Sequence, residues 1–430
     1  MIPRAVPSLC PRSATCYHQA CCAPIILPAG FAFMRVEHLS LTNFRNYARL
    51  ELSLPQQPLV LHGANAQGKT SLLEALYYLA AARSPYTRQD RQLIHWRTED
   101  DPLPYARLSA EFHNRRGRHQ ILEMALVLEN GARFKKIIRL NHAEKRVMDV
   151  VGVLSVVLFL PQDLTLVEGS PSDRRAWMDA TLSQVDAAYL EALDGLEKAL
   201  PQRNALLRRI AERKAKPSEL SYWDEQVAQF GAILIAQRQK FLRELEYLAQ
   251  QQHHALSGAR ETLTLRYQPS FSPSATQEGQ RAFEVFGLDL HRQLEPQDIA
   301  PQYLARLQEE RDESILRGVT LSGPHRDELR LLINGRDCGL YGSRGQARTT
   351  VLALKLAELA WMERALGETP LLLLDEVIAE LDAQRRAYLL GQLDGRAQTL
   401  LTTTELDIFE PSFLARAQVL HIREGQIVGA

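Results

Sequence analysis

The segment Gly63-Ala64-Asn65-Ala66-Gln67-Gly68-Lys69-Thr70 constrains this chain more than any other. It has the form G-x-x-x-x-G-K-[ST]. The apolar run Leu59-Val60-Leu61 in front of it reads as a strand, and residues 71–79 behind it read as a helix. Glycines let such a backbone wrap closely around a polyphosphate with its N–H groups turned inward. The helix N-terminus adds partial positive charge. Lys69 is placed to neutralise β- and γ-phosphates, and Thr70 is placed to hold Mg²⁺. The expected nucleotide-binding set is Gly63, Ala64, Asn65, Ala66, Gln67, Gly68, Lys69, Thr70 and Ser71. A strand, a loop and a helix in this order imply an α/β fold.

A second apolar run, residues 371–374, ends in Asp375-Glu376 and reads as a buried parallel strand. The carboxyl ends of such strands are where α/β sheets bind ligands. Asp375 is expected, with Thr70, on the metal. Glu376 is expected to orient or deprotonate an attacking water, so that Lys69 and Glu376 form the catalytic pair. Acidic residues at strand ends are common, and it is the phosphate loop that gives this pair a chemical meaning. Ala379-Glu380-Leu381-Asp382 follows, then a strand at Leu400-Leu401 closing on Thr402-Thr403-Thr404.

Ser343-Arg344-Gly345-Gln346 precedes a helical stretch over residues 349–366. A hydroxyl, free backbone N–H groups and a positive helix end make a second anion site. An ordinary capped loop is the plainer alternative. One phosphate loop is already complete, so a second site suggests two subunits meeting head to tail across two nucleotides. Each γ-phosphate would then meet Lys69 of one subunit and Ser343 of the other, and pairing would depend on ATP.

The order of these elements resembles the ABC-type ATPases, in the subset with SMC-like heads. The chain is more specifically similar to the RecF family. The resemblance rests on Leu41-Thr42-Asn43-Phe44-Arg45-Asn46-Tyr47, the phosphate loop, Gln202-Arg203-Asn204, Gly323-Pro324-His325-Arg326-Asp327 and Ser343-Arg344-Gly345-Gln346. It covers position 34 to the C-terminus. It implies an ABC-type P-loop ATPase head, a mixed sheet with flanking helices, carrying a helical arm insertion. It also implies a cytoplasmic homodimer that closes on ATP and Mg²⁺ around double-stranded or gapped DNA. Such a dimer hydrolyses ATP slowly and works with RecR and RecO to load RecA at gaps. Under the resemblance Ser343, Arg344, Gly345 and Gln346 become the signature acting in trans, joined by Asp382. Gln162, within Pro161-Gln162-Asp163, falls at the Q-loop equivalent, and Arg45 matches an arginine that reaches the nucleotide. Glu376 favours competent hydrolysis, while Thr404 stands near where transporters carry a switch histidine. The alternatives are an ATPase of a transport or translation system, and a scaffold that keeps the fold without hydrolysis. The intact Lys69, Asp375 and Glu376 argue against the scaffold.

Fifty-one basic and fifty-one acidic residues cancel, so net charge does not announce a nucleic-acid partner. Local clusters matter more. Residues 115–146 hold nine Lys/Arg against three Glu, and residues 203–216 hold six against one. On charge alone a solvated face is the better reading, and only the resemblance turns these clusters toward DNA. Four of the five cysteines lie in the first 33 residues, without the paired spacing of structural zinc. The cysteine-poor body fits a reducing cytosol. Residues 1–33 are expected to be a disordered leader or a non-native upstream start, with Met34 the natural beginning. No apolar run approaches a membrane span.

Four segments follow: the leader at 1–33, an N-terminal half of the head at 34–170, a helical arm or second lobe at 171–315, and the C-terminal half of the head at 316–430. Alternating patterns predict strands over residues 35–42, 48–54, 106–113, 121–129 and 132–141, and a buried strand over 156–160. Helical spacing from Trp177 to Leu196 predicts one long helix that Pro201 kinks or restarts. A break at Lys216-Pro217-Ser218 precedes a second helical run over 222–256. Residues 270–279 read as a loop, and residues 419–427 as a closing hairpin.

Overall fold

The computed structural model describes residues 34–98, 101–114, 116–129, 133–271, 294–393, 395 and 397–428. The expected leader and nearly all of the loop expected over 270–279 lie outside the described residues.

The first strands fall where predicted and pair with one another. They are β1 (Arg35–Phe44) and β2 (Tyr47–Ser53). β3 (Leu59–His62) is buried almost throughout and delivers the phosphate loop to α1 (Lys69–Ala81). Then come β4 (Tyr105–His113), β5 (His119–Glu129), β6 (Arg133–Leu140) and the short β7 (Ala143–Lys145). β1, β2 and β4–β7 make one antiparallel sheet in the order β2-β1-β4-β5-β6-β7.

A second sheet binds the two ends of the chain together. It contains β3, β8 (Val156–Phe159), β12 (Leu371–Asp375), β13 (Thr399–Thr403), β14 (Gln418–Arg423) and β15 (Gln426–Ile427). Its order is β15-β14-β3-β13-β12-β8, and all but the β14–β15 hairpin is parallel. The run of leucines in β12 has both faces covered. Leu371 and Leu373 point into the core shared with α1 and the antiparallel sheet. Leu372 and Leu374 point into the core shared with the helical lobe. A strand buried on both sides cannot alternate polar and apolar residues, which is why this one reads as a continuous apolar run.

The helical insertion begins with α2 (Thr165–Glu168) and α3 (Pro171–Val185). α4 (Ala187–Ala211) and α5 (Leu220–Leu256) follow. The single helix predicted across residues 177–196 is two helices. Asp186 divides them, and its carboxylate accepts from the amides of Ala188 at 2.9 Å and Tyr189 at 3.3 Å. Pro201 neither ends nor restarts α4. It lies inside the 25-residue helix, on an exposed position. Packing of α4 on α5 outweighs the local cost of the proline, about 3 kcal/mol. α5 has 37 residues, about 56 Å of helix. Much of its length is embedded against the helices Pro296–Glu309 and Arg344–Leu366 and the strand β9 (Leu263–Gln268). β9 pairs with β10 (Glu328–Ile333), which pairs with β11 (Arg336–Asp337). The small sheet thus crosses position 315/316.

The Gly323-Pro324-His325-Arg326-Asp327 segment lies at the centre of this lobe. Asp327 is fully buried and accepts from the Tyr267 hydroxyl at 2.5 Å, the Ser270 amide at 2.8 Å and Arg238 Nη1 at 3.3 Å. Arg238 is also fully buried, and it donates to Asp179 at 2.8 Å, the Tyr189 hydroxyl at 2.9 Å and the Pro324 carbonyl at 2.7 Å. Burial pushes the Asp327 carboxyl up and Arg238 opposes it. Two charges this deep are tolerable only when each satisfies the other. Asp327→Ala leaves Arg238 without one of its two carboxylates, and urea denaturation is expected to show a loss of about 3–5 kcal/mol. A loss under about 1 kcal/mol, the size typical of an exposed pair, would show that the network does not hold the lobe together.

Candidate nucleotide-binding site

The phosphate loop is strapped from two sides. Asn46 Nδ2 and the Gly425 amide both donate to the Gln67 carbonyl, at 3.0 and 2.9 Å. The Tyr47 hydroxyl donates to the Gly68 carbonyl at 3.0 Å, and the Glu424 amide donates to Gln67 Oε1 at 2.8 Å. One strap is the β1–β2 turn and the other is the β14–β15 turn. The close approach explains both glycines. A Cβ on Gly63 would stand 2.3 Å from the Ile422 carbonyl oxygen, and one on Gly68 would stand 2.6 Å from Asn46 Nδ2. Gly68 also has φ 116°, a conformation that other residues rarely adopt. With glycine at the N-cap, no side chain caps α1, so its first amides face the loop as an anion-binding end.

The polar centre joins β3 to β12. Thr70 Oγ1 donates to Asp375 Oδ1 at 2.9 Å, across 305 residues of sequence. Thr402 Oγ1 donates to the same oxygen at 2.8 Å and accepts from the Glu376 amide at 2.8 Å. Strand register explains the meeting, since Asp375 pairs with Thr402 and Thr402 with Leu61. Lys69 is almost fully buried. Its Nζ donates to the carbonyls of Gly63 at 2.7 Å and Ala64 at 3.0 Å and lies 3.1 Å from Glu376 Oε1. Glu376 has φ 54°, a left-handed turn that ends β12 and aims the carboxylate back at the loop. A hydroxyl and a carboxylate 2.9 Å apart, beside an ammonium and an uncapped helix end, form a donor set that could hold a hard divalent cation against phosphate oxygens.

A cavity of about 350 Å³ opens here, lined among others by Arg45, Lys69, Thr70, Trp96 and Glu376. Its lining includes Ala66, Gln67, Gly68 and Ser71. Arg45 faces it but is held elsewhere, with Nε and Nη2 each 2.7 Å from the two oxygens of the buried Glu74. Gln162 does not line the cavity. It is exposed just after β8, and its carbonyl accepts from Thr165 Oγ1 at 2.8 Å. The sequence reading missed Asn46, Tyr47, Gln92, Ile94 and Trp96. Asn46 and Tyr47 adjoin Arg45 and fall in a segment already singled out. Trp96 is 64% exposed, and nothing in its sequence surroundings marks it.

Ser343, Arg344 and Gly345 are exposed, and none of residues 343–346 lines this cavity. Ser343 and Gln346 form a reciprocal cap on the Arg344–Leu366 helix, with the Ser343 amide 2.8 Å from Gln346 Oε1 and the Gln346 amide 3.2 Å from Ser343 Oγ. Gln346 Nε2 also reaches Glu261 at 2.8 Å. Asp382 caps the following turn, where the Arg385 amide at 2.9 Å and the Arg385 guanidinium hold its carboxyl below the usual range. Within one subunit, the structure brings together residues 63–71, Arg45, Asp375 and Glu376. It leaves Gln162, Ser343–Gln346 and Asp382 apart from them.

Residues 35–424 match the family described as RecF/RecN/SMC N terminal domain. The chain is 40% identical over 406 residues to the DNA replication and repair protein RecF of Chloroflexus aurantiacus, covering 92% of this chain and 99% of that one. The chain belongs to the RecF family. It is 36% identical over 397 residues to the Bacillus subtilis RecF, covering 92% of this chain and all of the relative. Among solved structures it is similar to the recombination mediator protein RecF with ATP, of the RecFOR pathway, at TM-score 0.79 and 28% identity over 94% of this chain and 99% of that one. The fold is therefore the expected ABC-type head with its helical insertion. Matches of this length to RecF chains set aside the transport and translation alternatives. No described helix is long and apolar enough to cross a membrane.

Proposed function

We propose that this RecF-family chain is an ATP-dependent DNA-binding protein of recombinational repair and replication. In this reading two copies pair on ATP around double-stranded or gapped DNA, slow hydrolysis resets them, and RecR and RecO join them in loading RecA. The observation that carries the reading is the meeting of Lys69, Thr70, Asp375 and Glu376 at one end of the parallel sheet. A RecF of the same fold with ATP supports it.

The chain's residues divide the work. The loop amides and Lys69 hold the β- and γ-phosphates. Thr70 and Asp375 hold Mg²⁺, which when bound draws charge from the phosphate oxygens. Glu376 accepts a proton from the attacking water, and Thr402 fixes its backbone. Arg45, on the cavity wall, adds to the nucleotide contacts. Ser343–Gln346 and Asp382 reach the other subunit's nucleotide. The exposure of Ser343, Arg344, Gly345 and Asp382, and the absence of all five residues from the cavity of their own subunit, support a role in trans.

For DNA, the outer face of the antiparallel sheet fits better than the α4 cluster. Arg107 on β4 and Arg133, Lys135 and Arg139 on β6 are exposed on either side of β5, whose Glu123 pairs with Arg107 and Arg139. In the α4 cluster Arg203 is fully buried, donating to Asp224 and Thr320 at 2.8 Å each, so its charge is structural. Binding through such a face weakens steeply with salt.

Three substitutions test the reading. Lys69→Ala is expected to weaken ATP binding by about 30-fold or more in calorimetry. Affinity equal to the parent would reject the loop as the site. Glu376→Gln is expected to keep ATP binding but slow hydrolysis by about 100-fold, prolonging the ATP-bound dimer in light scattering. A dimer that decays at the parent rate would remove Glu376 from the chemistry. Ser343→Arg is expected to bind ATP as a monomer, and a dimer mass in ATP would contradict the trans role.

A further inference from the structure

The metal-side carboxylate has a partner that the phosphate-loop chemistry does not require. The Tyr86 hydroxyl donates to Asp375 Oδ2 at 2.8 Å, on the oxygen opposite the one shared by Thr70 and Thr402. Tyr86 follows α1 in sequence, and it packs against the core that α1 shares with the antiparallel sheet.

The loop carrying Tyr86 is itself anchored. The amides of Tyr86 and Thr87 donate to Ser84 Oγ at 3.0 and 3.2 Å. Ser84 Oγ donates to Glu74 Oε1 at 2.5 Å, and Glu74 is the carboxylate that clamps Arg45. A continuous set of hydrogen bonds therefore runs from Arg45 on the cavity wall, through Glu74 and the Ser84–Tyr86 loop, to Asp375.

We propose that Tyr86 is a positioning residue for the metal site, fixing the rotamer of Asp375 so that one carboxylate edge faces the cation beside Thr70. This rests on the reading of Asp375 as the metal carboxylate. A carboxylate tied by one oxygen alone can turn about its terminal bond. Donors on both oxygens lock its plane. Partners of this kind commonly change metal affinity by about 10- to 100-fold when removed.

The test uses the full chain and Mn²⁺ as the probe. Free Mn²⁺ is followed by electron paramagnetic resonance in the presence of a nonhydrolysable ATP analogue. Affinity for a fluorescent ATP analogue is measured separately in EDTA, and melting temperature is recorded. Tyr86→Phe keeps the ring and removes only the hydroxyl. It is expected to weaken Mn²⁺ binding about tenfold while leaving the EDTA affinity and melting temperature at parent values. Mn²⁺ affinity within about twofold of the parent would overturn the proposal. An equal loss in Mn²⁺ and in EDTA would also overturn it, because the hydroxyl would then be shaping the loop as a whole. Asp375→Asn separates the two readings. If it too retains Mn²⁺, the metal role of Asp375 falls and the role of Tyr86 falls with it. If it loses Mn²⁺ while Tyr86→Phe does not, only Tyr86 is removed.

Discussion

The contact between Thr70 and Asp375 holds two halves of a site that the chain separates by 305 residues. It exists because β3 and β12 both flank β13 in one parallel sheet. Parallel strands need long crossovers, and here the chain between them contains β4–β7 of the antiparallel sheet, then β8 and the helical lobe. The loop glycines, the straps on Gln67 and Gly68, and the turn at Glu376 all presuppose that pairing. If β3 were not registered against β13, Lys69 would have no carboxylate and Asp375 no hydroxyl from α1.

Much of this was legible because it is written in local patterns. The phosphate loop is a contiguous octet, and each glycine answers a specific close approach. The apolar run of β12 marks a strand covered on both faces, and its acidic end marks the sheet edge where ligands collect. What escaped was set by tertiary contacts. Asn46 and Tyr47 act through a loop carbonyl about twenty residues away, and Tyr86 acts on a carboxylate 289 residues away. No spacing rule encodes such pairs. The division at Asp186 was hidden because apolar residues keep helical spacing on both sides of it. The restart expected at Pro201 failed for the opposite reason, since a local rule was overridden by packing on α5.

Arg45 shows how a residue can fall in the expected place with a different set of bonds. Its side chain borders the cavity, yet two short hydrogen bonds commit it to Glu74. A bidentate arginine–carboxylate pair fixes direction as well as charge. Glu74 thereby couples the β1–β2 turn to α1, and the same turn supplies Asn46 and Tyr47 to the phosphate loop. The opening segment of the head is thus a brace for the loop before it is a ligand contact.

The exposed turn at Ser343–Gln346 is braced with equal care. The helix that it begins is keyed to three elements at once. Lys355 stands 5.7 Å over the Phe159 ring of β8 and pairs with Glu358. Glu358 accepts from Trp177 at 3.0 Å and Thr181 at 2.6 Å on α3. Trp361 donates to Glu244 of α5 at 2.8 Å. Burial pulls the Lys355 ammonium down, but Glu358 and Asp163 outweigh it and hold it above the usual lysine range. Anchors at Lys355, Glu358 and Trp361 leave the helix little freedom to slide against β8. On the dimer reading this rigidity is required. A signature that must meet another subunit's phosphate cannot adjust by several ångströms without losing hydrogen bonds that tolerate only a few tenths. The buried charges of the helical lobe therefore fix this turn as the straps fix the phosphate loop, and on the dimer reading each holds one side of the same contact.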